Sequence, residues 1–228
     1  MVQTVLFIGI LAAMAIAYHV HVDRLKRVNR DLLRKLRQFS EELDASQAEI
    51  ARLSTTDALT GVANYGRFED FLALEWRRAQ RDQTPLSLLL VDIDRFQAFN
   101  DQFGRKVGDE FLKEVARLLH DGFRRSSDIV ARSDSDQFAV ALGRTDATQS
   151  VTLAERVRSV IESLKLGSPT SPAHATVSVG IATALPPRQS DWAELELLRA
   201  ADHALESAKV EGGNRVCRAE LTAGDAKG

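Results

Sequence analysis

The chain has 228 residues, a formal net charge of −2 at pH 7 and 44% apolar residues. That suffices for one packed domain with residues to spare, and the near balance of charge argues against a nucleic-acid partner. The single cysteine, Cys217, excludes an intramolecular disulfide framework and fits a reducing compartment.

Residues 1–22 contain no Lys, Arg, Asp or Glu. With its flanks the apolar stretch reaches the roughly 20 residues that span a bilayer. Arg24, Lys26, Arg27, Arg30, Arg34, Lys35 and Arg37 follow at once. By the positive-inside rule, residues 1–22 are expected to be a single-pass anchor in the inner (cytoplasmic) membrane, with the rest of the chain in the cytoplasm. A cleaved signal peptide is the rival reading, but its basic start is missing. Residues 23–55 read as a helical stalk. Leu25, Leu32, Phe39 and Leu53 share one heptad position, and Leu36, Leu43 and Ile50 share another. That spacing predicts a coiled coil and a homodimer joined through it.

Residues 56–219 read as the globular domain and 220–228 as a disordered tail. Residues 57–61 form a turn, and a helix runs from Asn64 to about residue 81. The apolar run over 88–91 predicts a buried strand over 86–92 whose end carries the acids Asp92 and Asp94. A helical turn over 95–101 and an amphipathic helix over 106–123 follow. Residues 128–132 and 138–142 flank a short polar turn, the pattern of a β-hairpin. A helix over 150–164, a loop over 166–171, a strand over 176–182, a helix over 195–210 and a last strand over 214–218 complete the domain. The order contains β-α-β-β-α-β, the ferredoxin-like split motif. The expected fold is α+β: a palm-type antiparallel sheet with helices against one face and some covering its edges, preceded by the membrane helix and the stalk.

Arg132-Ser133-Asp134-Ser135-Asp136-Gln137-Phe138 resembles the Arg-Tyr-Gly-Gly-Asp-Glu-Phe signature of GGDEF domains, the diguanylate cyclases. Asp57-Ala58-Leu59-Thr60-Gly61-Val62-Ala63-Asn64 resembles the family's D-x-L-T-G-L-x-N. Asp92-Ile93-Asp94-Arg95-Phe96-Gln97-Ala98-Phe99-Asn100-Asp101 resembles D-I-D-x-F-K-x-x-N-D, and Gly108-Asp109-Glu110 resembles the following G-D-E. The resemblance covers residues 57–218.

Such enzymes condense two GTP molecules into cyclic di-GMP, each 3′-hydroxyl attacking the other's α-phosphate with the help of Mg²⁺. The resemblance implies that Asp92, the Ile93 carbonyl and Asp136 hold the metal. It implies that Asn100 and Asp109 read guanine, and that the Phe96-Gln97 turn and Lys209 hold phosphate. It also marks what has changed. Gln137 stands where the family has an acid, which removes a charge from the centre of the site. Asp134 and Ser135 replace two glycines and add bulk where guanine lies. Gln97 and Gly213 replace a lysine and an arginine, and each lost charge-assisted hydrogen bond costs roughly 1.5–3 kcal/mol. Arg125-Ser126-Ser127-Asp128 keeps the family's R-x-x-D inhibitory motif, which binds cyclic di-GMP. The expectation is a degenerate, catalytically inactive GGDEF protein acting as a cyclic di-GMP receptor or protein-interaction module. The alternative is a low-activity cyclase that uses Mg²⁺.

Overall fold

The computed structural model describes residues 54–165, 175–188 and 194–219, together with helical residues 26, 29, 33–35 and 37–40. The chain divides into two units, residues 1–53 and 54–228. The predicted membrane span, the 166–171 loop and the 220–228 tail lie outside the described residues. Among those described, no helix is long and apolar enough to cross a membrane. The described part of the predicted stalk is helical and exposed, with Phe39 at 67%.

The second unit runs β1 (Ala63–Asn64), α1 (Tyr65–Asp82), β2 (Leu86–Ile93), α2 (Phe96–Phe103), α3 (Arg105–Gly122), β3 (Asp128–Arg132), β4 (Gln137–Gly143), α4 (Ala147–Ser163), β5 (Val177–Ala184), α5 (Glu194–Val210) and β6 (Val216–Ala219). The strands form one sheet in the order β1-β3-β4-β2-β5-β6. Its four central strands are antiparallel, as the split motif requires. Both edges depart from the expectation. β1, absent from the sequence reading, pairs parallel with β3, and β6 pairs parallel with β5. The β5–α5–β6 connection is a crossover through a helix, which brings the chain back in the same direction.

Helices cover both faces of the sheet rather than one. Every residue of β2 is buried. Leu89, Val91 and Ile93 join a core with Phe99 of α2, Phe111 and Leu119 of α3, and Ile161 of α4. Leu86, Leu88 and Leu90 join a second core with Phe68, Leu72 and Trp76 of α1 and Leu197 and Leu205 of α5. Strand side chains alternate between faces, so a run without polar interruption has a core on each side. The second face is paved with small residues: Ala131, Ala139, Ala141, Ala182 and Ala184. At Gly180 a Cβ would lie 2.2 Å from the Ala201 carbonyl oxygen and the Leu205 nitrogen. Helix α5 therefore rests on the backbone of β5, and only glycine permits it.

Local signals set the helix starts. Asn64 caps α1 by accepting from the Arg67 N–H at 2.9 Å. Helix α4 starts at Ala147, earlier than its apolar periodicity indicates. Asp146 accepts from the N–H groups of Thr148 and Gln149, and Gln149 reaches back to the Asp146 N–H.

Candidate functional site

The β3–β4 hairpin places the signature at one end of the sheet. The Ser133 N–H donates to the Gln137 carbonyl at 2.9 Å, closing the turn. Asp134 accepts from the Ser135 N–H at 2.7 Å, and Asp136 accepts from the Ser135 hydroxyl at 2.9 Å. Neither Asp134 nor Ser135 takes positive φ. Replacing the family's glycines therefore introduces no backbone strain, and its consequences are bulk and charge. Arg132 clasps the turn from behind. Its Nε donates to the Asp134 carbonyl at 3.1 Å, its Nη2 to the Ser135 carbonyl at 2.5 Å and its Nη1 to Asp57 at 3.3 Å. Burial acts to raise the Asp57 carboxyl, but the Thr60 hydroxyl and N–H together with Arg132 bring it below the ordinary range.

The Ile93 N–H donates to the Asp136 carbonyl at 3.2 Å, so the hairpin tip sits against the end of β2. Asp92 lies in the ladder between Gln137 of β4 and Ser178 of β5, on the face that α5 covers. It is 8% exposed, and Lys209 of α5 donates to its Oδ2 at 2.7 Å. Burial pushes the Asp92 carboxyl up. Lys209 opposes that, while Asp136 and Asp94 add to it. Asp94 is filled by other donors: the Thr176 and Ser178 hydroxyls, both at 2.6 Å, and the Asn214 N–H at 2.9 Å. Gly213 lies at φ +75°, and a Cβ there would come 2.9 Å from Asp94 Oδ1. The Gln137 amide oxygen accepts from the Ser133 hydroxyl at 3.1 Å. Among the described residues no three Asp, Glu, His or Cys side chains gather to share a metal ion. A magnesium ion seeks several oxygen ligands in near-octahedral geometry. The oxygen groups that would hold such an ion are Asp92, the Ile93 carbonyl and Asp136, and Lys209 already takes one oxygen of Asp92.

Asn100 of α2 lies over Gly108 of α3, where a Cβ would meet its Oδ1 at 1.8 Å. That oxygen is buried and has no hydrogen-bond partner among the described residues. Asp109 is half-buried beside it and makes no side-chain hydrogen bond or ion pair among the described residues. Unmet buried acceptors are expensive, so this corner suits a ligand that presents N–H groups. Phe96 packs on Phe99, which packs on Phe111, and this fixes the start of α2. Arg95, at φ +55°, precedes that start without a side-chain cap, and Gln97 is exposed.

The sequence matches the family described as "Diguanylate cyclase, GGDEF domain" over residues 54–215, well over half of the chain. The chain belongs to the GGDEF family. A GGDEF relative, the probable diguanylate cyclase DgcC of Escherichia coli, is 35% identical over 178 residues, which are 78% of this chain and 47% of that protein. The response regulator PleD of Caulobacter vibrioides is 32% identical, over 83% of this chain and 41% of its own length. The chain thus spans less than half the length of these relatives. The crystal structure of the coiled coil and GGDEF domain of DgcB from Caulobacter crescentus, in complex with c-di-GMP, superposes with a TM-score of 0.67 at 29% identity. It covers 82% of this chain and 97% of that one.

In this GGDEF domain the R-x-x-D residues sit at the base of the hairpin, one strand length from the signature. The five residues of β3 separate the two ends by about 16 Å. The Asp128 N–H donates to the Arg125 carbonyl at 3.0 Å, which folds the motif into a turn. Arg125 is exposed and makes no ion pair among the described residues. Burial raises the Asp128 carboxyl above its ordinary range despite hydrogen bonds from the Arg125 N–H and the Ser127 hydroxyl, and Glu75 adds to the rise. A cleft of about 320 Å³ alongside is lined by Glu75, Arg78, Ser126, Ser127, Gly143 and Arg144. The acid centre brings together Asp92, Ile93, Asp136, Gln137 and Lys209, while Asn100 lies over Gly108, the residue before Asp109. Sequence reasoning missed the clasp by Arg132 and the saturation of Asp94. The Asp57 motif was the available signal for the first, and the serine and threonine of β5 for the second.

Proposed function

We propose that the chain is a membrane-anchored, dimeric GGDEF protein of cyclic di-GMP signalling that has lost turnover and acts as a cyclic di-GMP receptor through Arg125 and Asp128. The observation that carries this reading is the state of the acid centre. Gln137 faces Asp92 across the ladder where an acid is needed, and Lys209 occupies Asp92. Phosphoryl transfer depends on positioned charge around the phosphates. Here Gln97 and Gly213 supply none, and Asp134 adds a negative one. At the other end, Arg125 offers an open fork for guanine, and Asp128 accepts from guanine N–H groups. The DgcB structure with c-di-GMP supports the ligand class. The stalk pattern supports a homodimer, residues 1–22 support the membrane anchor, and nothing supports a nucleic-acid partner.

The test uses the full-length chain in detergent, stripped of nucleotide. Calorimetric titration with cyclic di-GMP is expected to show binding that Arg125→Ala abolishes, and incubation with GTP and Mg²⁺ yields no cyclic di-GMP by mass. A second reading, a slow cyclase, is favoured by the survival of Asp92, Asp136, Asn100 and Asp109. Product formation that Asp92→Ala removes would establish it.

A further inference from the structure

The two ends of the pocket at the signature are in different states. The base end keeps its acceptors: a buried Asn100 Oδ1 over Gly108 that has no partner among the described residues, and Asp109, the next residue of α3, half-buried and without a hydrogen bond or ion pair among them. The phosphate end is changed. Asp92 and Asp136 lie together there with Asp134 two residues away in the turn, Gln137 and Gln97 are neutral, and Lys209 is committed to Asp92. Arg215 is held by Glu211 at 2.6 Å. Arg95, before the open N–H groups of α2, is exposed and makes no ion pair among the described residues. One arginine and one short helix start serve a single phosphate, not three.

We infer that this pocket binds guanine carrying no phosphate or one, a guanosine or guanosine monophosphate, without a divalent cation, and discriminates against the triphosphate. Lys209 supplies the positive charge that Asp92 needs, so bound metal is not required to neutralise it. Each additional phosphate meets carboxylates with no cation to answer them. A missing charge-assisted hydrogen bond weakens binding on the order of 10- to 100-fold. The usual order, in which the triphosphate binds tightest, is therefore inverted. The inference rests on the reading that turnover is lost, and the two fail differently.

The experiment is equilibrium dialysis of the full-length chain against guanosine, GMP, GTP and adenosine, each with EDTA and with Mg²⁺. Guanosine and GMP are expected to bind within about tenfold of each other, with GTP at least tenfold weaker, adenosine absent and Mg²⁺ without effect. Asn100→Ser and Asp109→Asn lose guanosine, whereas Arg125→Ala does not. Gln97→Lys combined with Asp134→Gly moves the preference toward GTP and serves as the positive control for a folded pocket. GTP bound as tightly as GMP without conversion overturns the inference alone, as does tightening by Mg²⁺ or failure of guanosine to bind a normally melting protein. Conversion of GTP to cyclic di-GMP overturns the proposed function as well.

Discussion

Lys209→Met removes the partner of a carboxylate that is 8% exposed. Stripping one member from a fully buried pair costs about 3–5 kcal/mol, and from a surface pair at most about 1 kcal/mol. The Lys209 side chain is 39% exposed and that of Asp92 11%, so the pair lies between these limits and the expected loss at pH 7 is about 2 kcal/mol. For a domain of this size that is a fall of about 4–8 °C in melting temperature. The pH dependence has a definite sign. Burial already raises Asp92 in the folded protein, so between the ordinary carboxylate range and that raised value the folded state holds more protons than the unfolded one. Stability then falls as pH rises through this window. Without Lys209 the folded value rises further, so the deficit of the variant widens toward neutral pH and closes below about pH 4, where Asp92 is protonated in both states. Urea unfolding at pH 7 and at pH 5 measures this, with the Asp92→Asn/Lys209→Met pair restoring most of the loss. An unchanged midpoint at pH 7, or a double variant no more stable than Lys209→Met, would refute the reasoning.

Two more expectations concern the frame around the site. Gly180→Ala forces a Cβ into the backbone of α5 and is expected to destabilise by about 3 kcal/mol, read as a lower urea midpoint with loss of ellipticity in the same step. Arg132→Met releases the carbonyls of Asp134 and Ser135. It is expected to speed amide exchange in the hairpin turn, while the Asp57 carboxyl moves back up, as carbon-13 shifts against pH would record.

The elements themselves were legible because each carries its own periodicity: the β2 run, the amphipathic α3, the acid-tipped hairpin. What escaped depends on partners far away along the chain. Lys209 and Asp92 are 117 residues apart, and nothing in either segment announces the other. The second face of the sheet was underread because Ala131, Ala139, Ala141 and Gly180 are weak hydrophobic signals. Their role is to let helices come close, not to fill space. β1 escaped because it spans two residues, too short for any alternation to register, whereas β6 was expected as a strand and only its parallel pairing, set by the crossover through α5, escaped. Asn64 announced its cap, but the cap at Asp146 was hidden by the polar first turn of α4. The candidate site was legible as a list of residues through resemblance. It was not legible as an arrangement, since Asp94 reads as a possible ligand until its three donors are seen.

The turn at Asp134 and Ser135 uses only ordinary backbone angles. Chemistry and folding are therefore uncoupled at the signature. Asp134 and Ser135 can be exchanged for other residues, glycine included, without a penalty from left-handed backbone. What such an exchange alters is the charge and bulk of a surface turn, while the sheet beneath stays as it is.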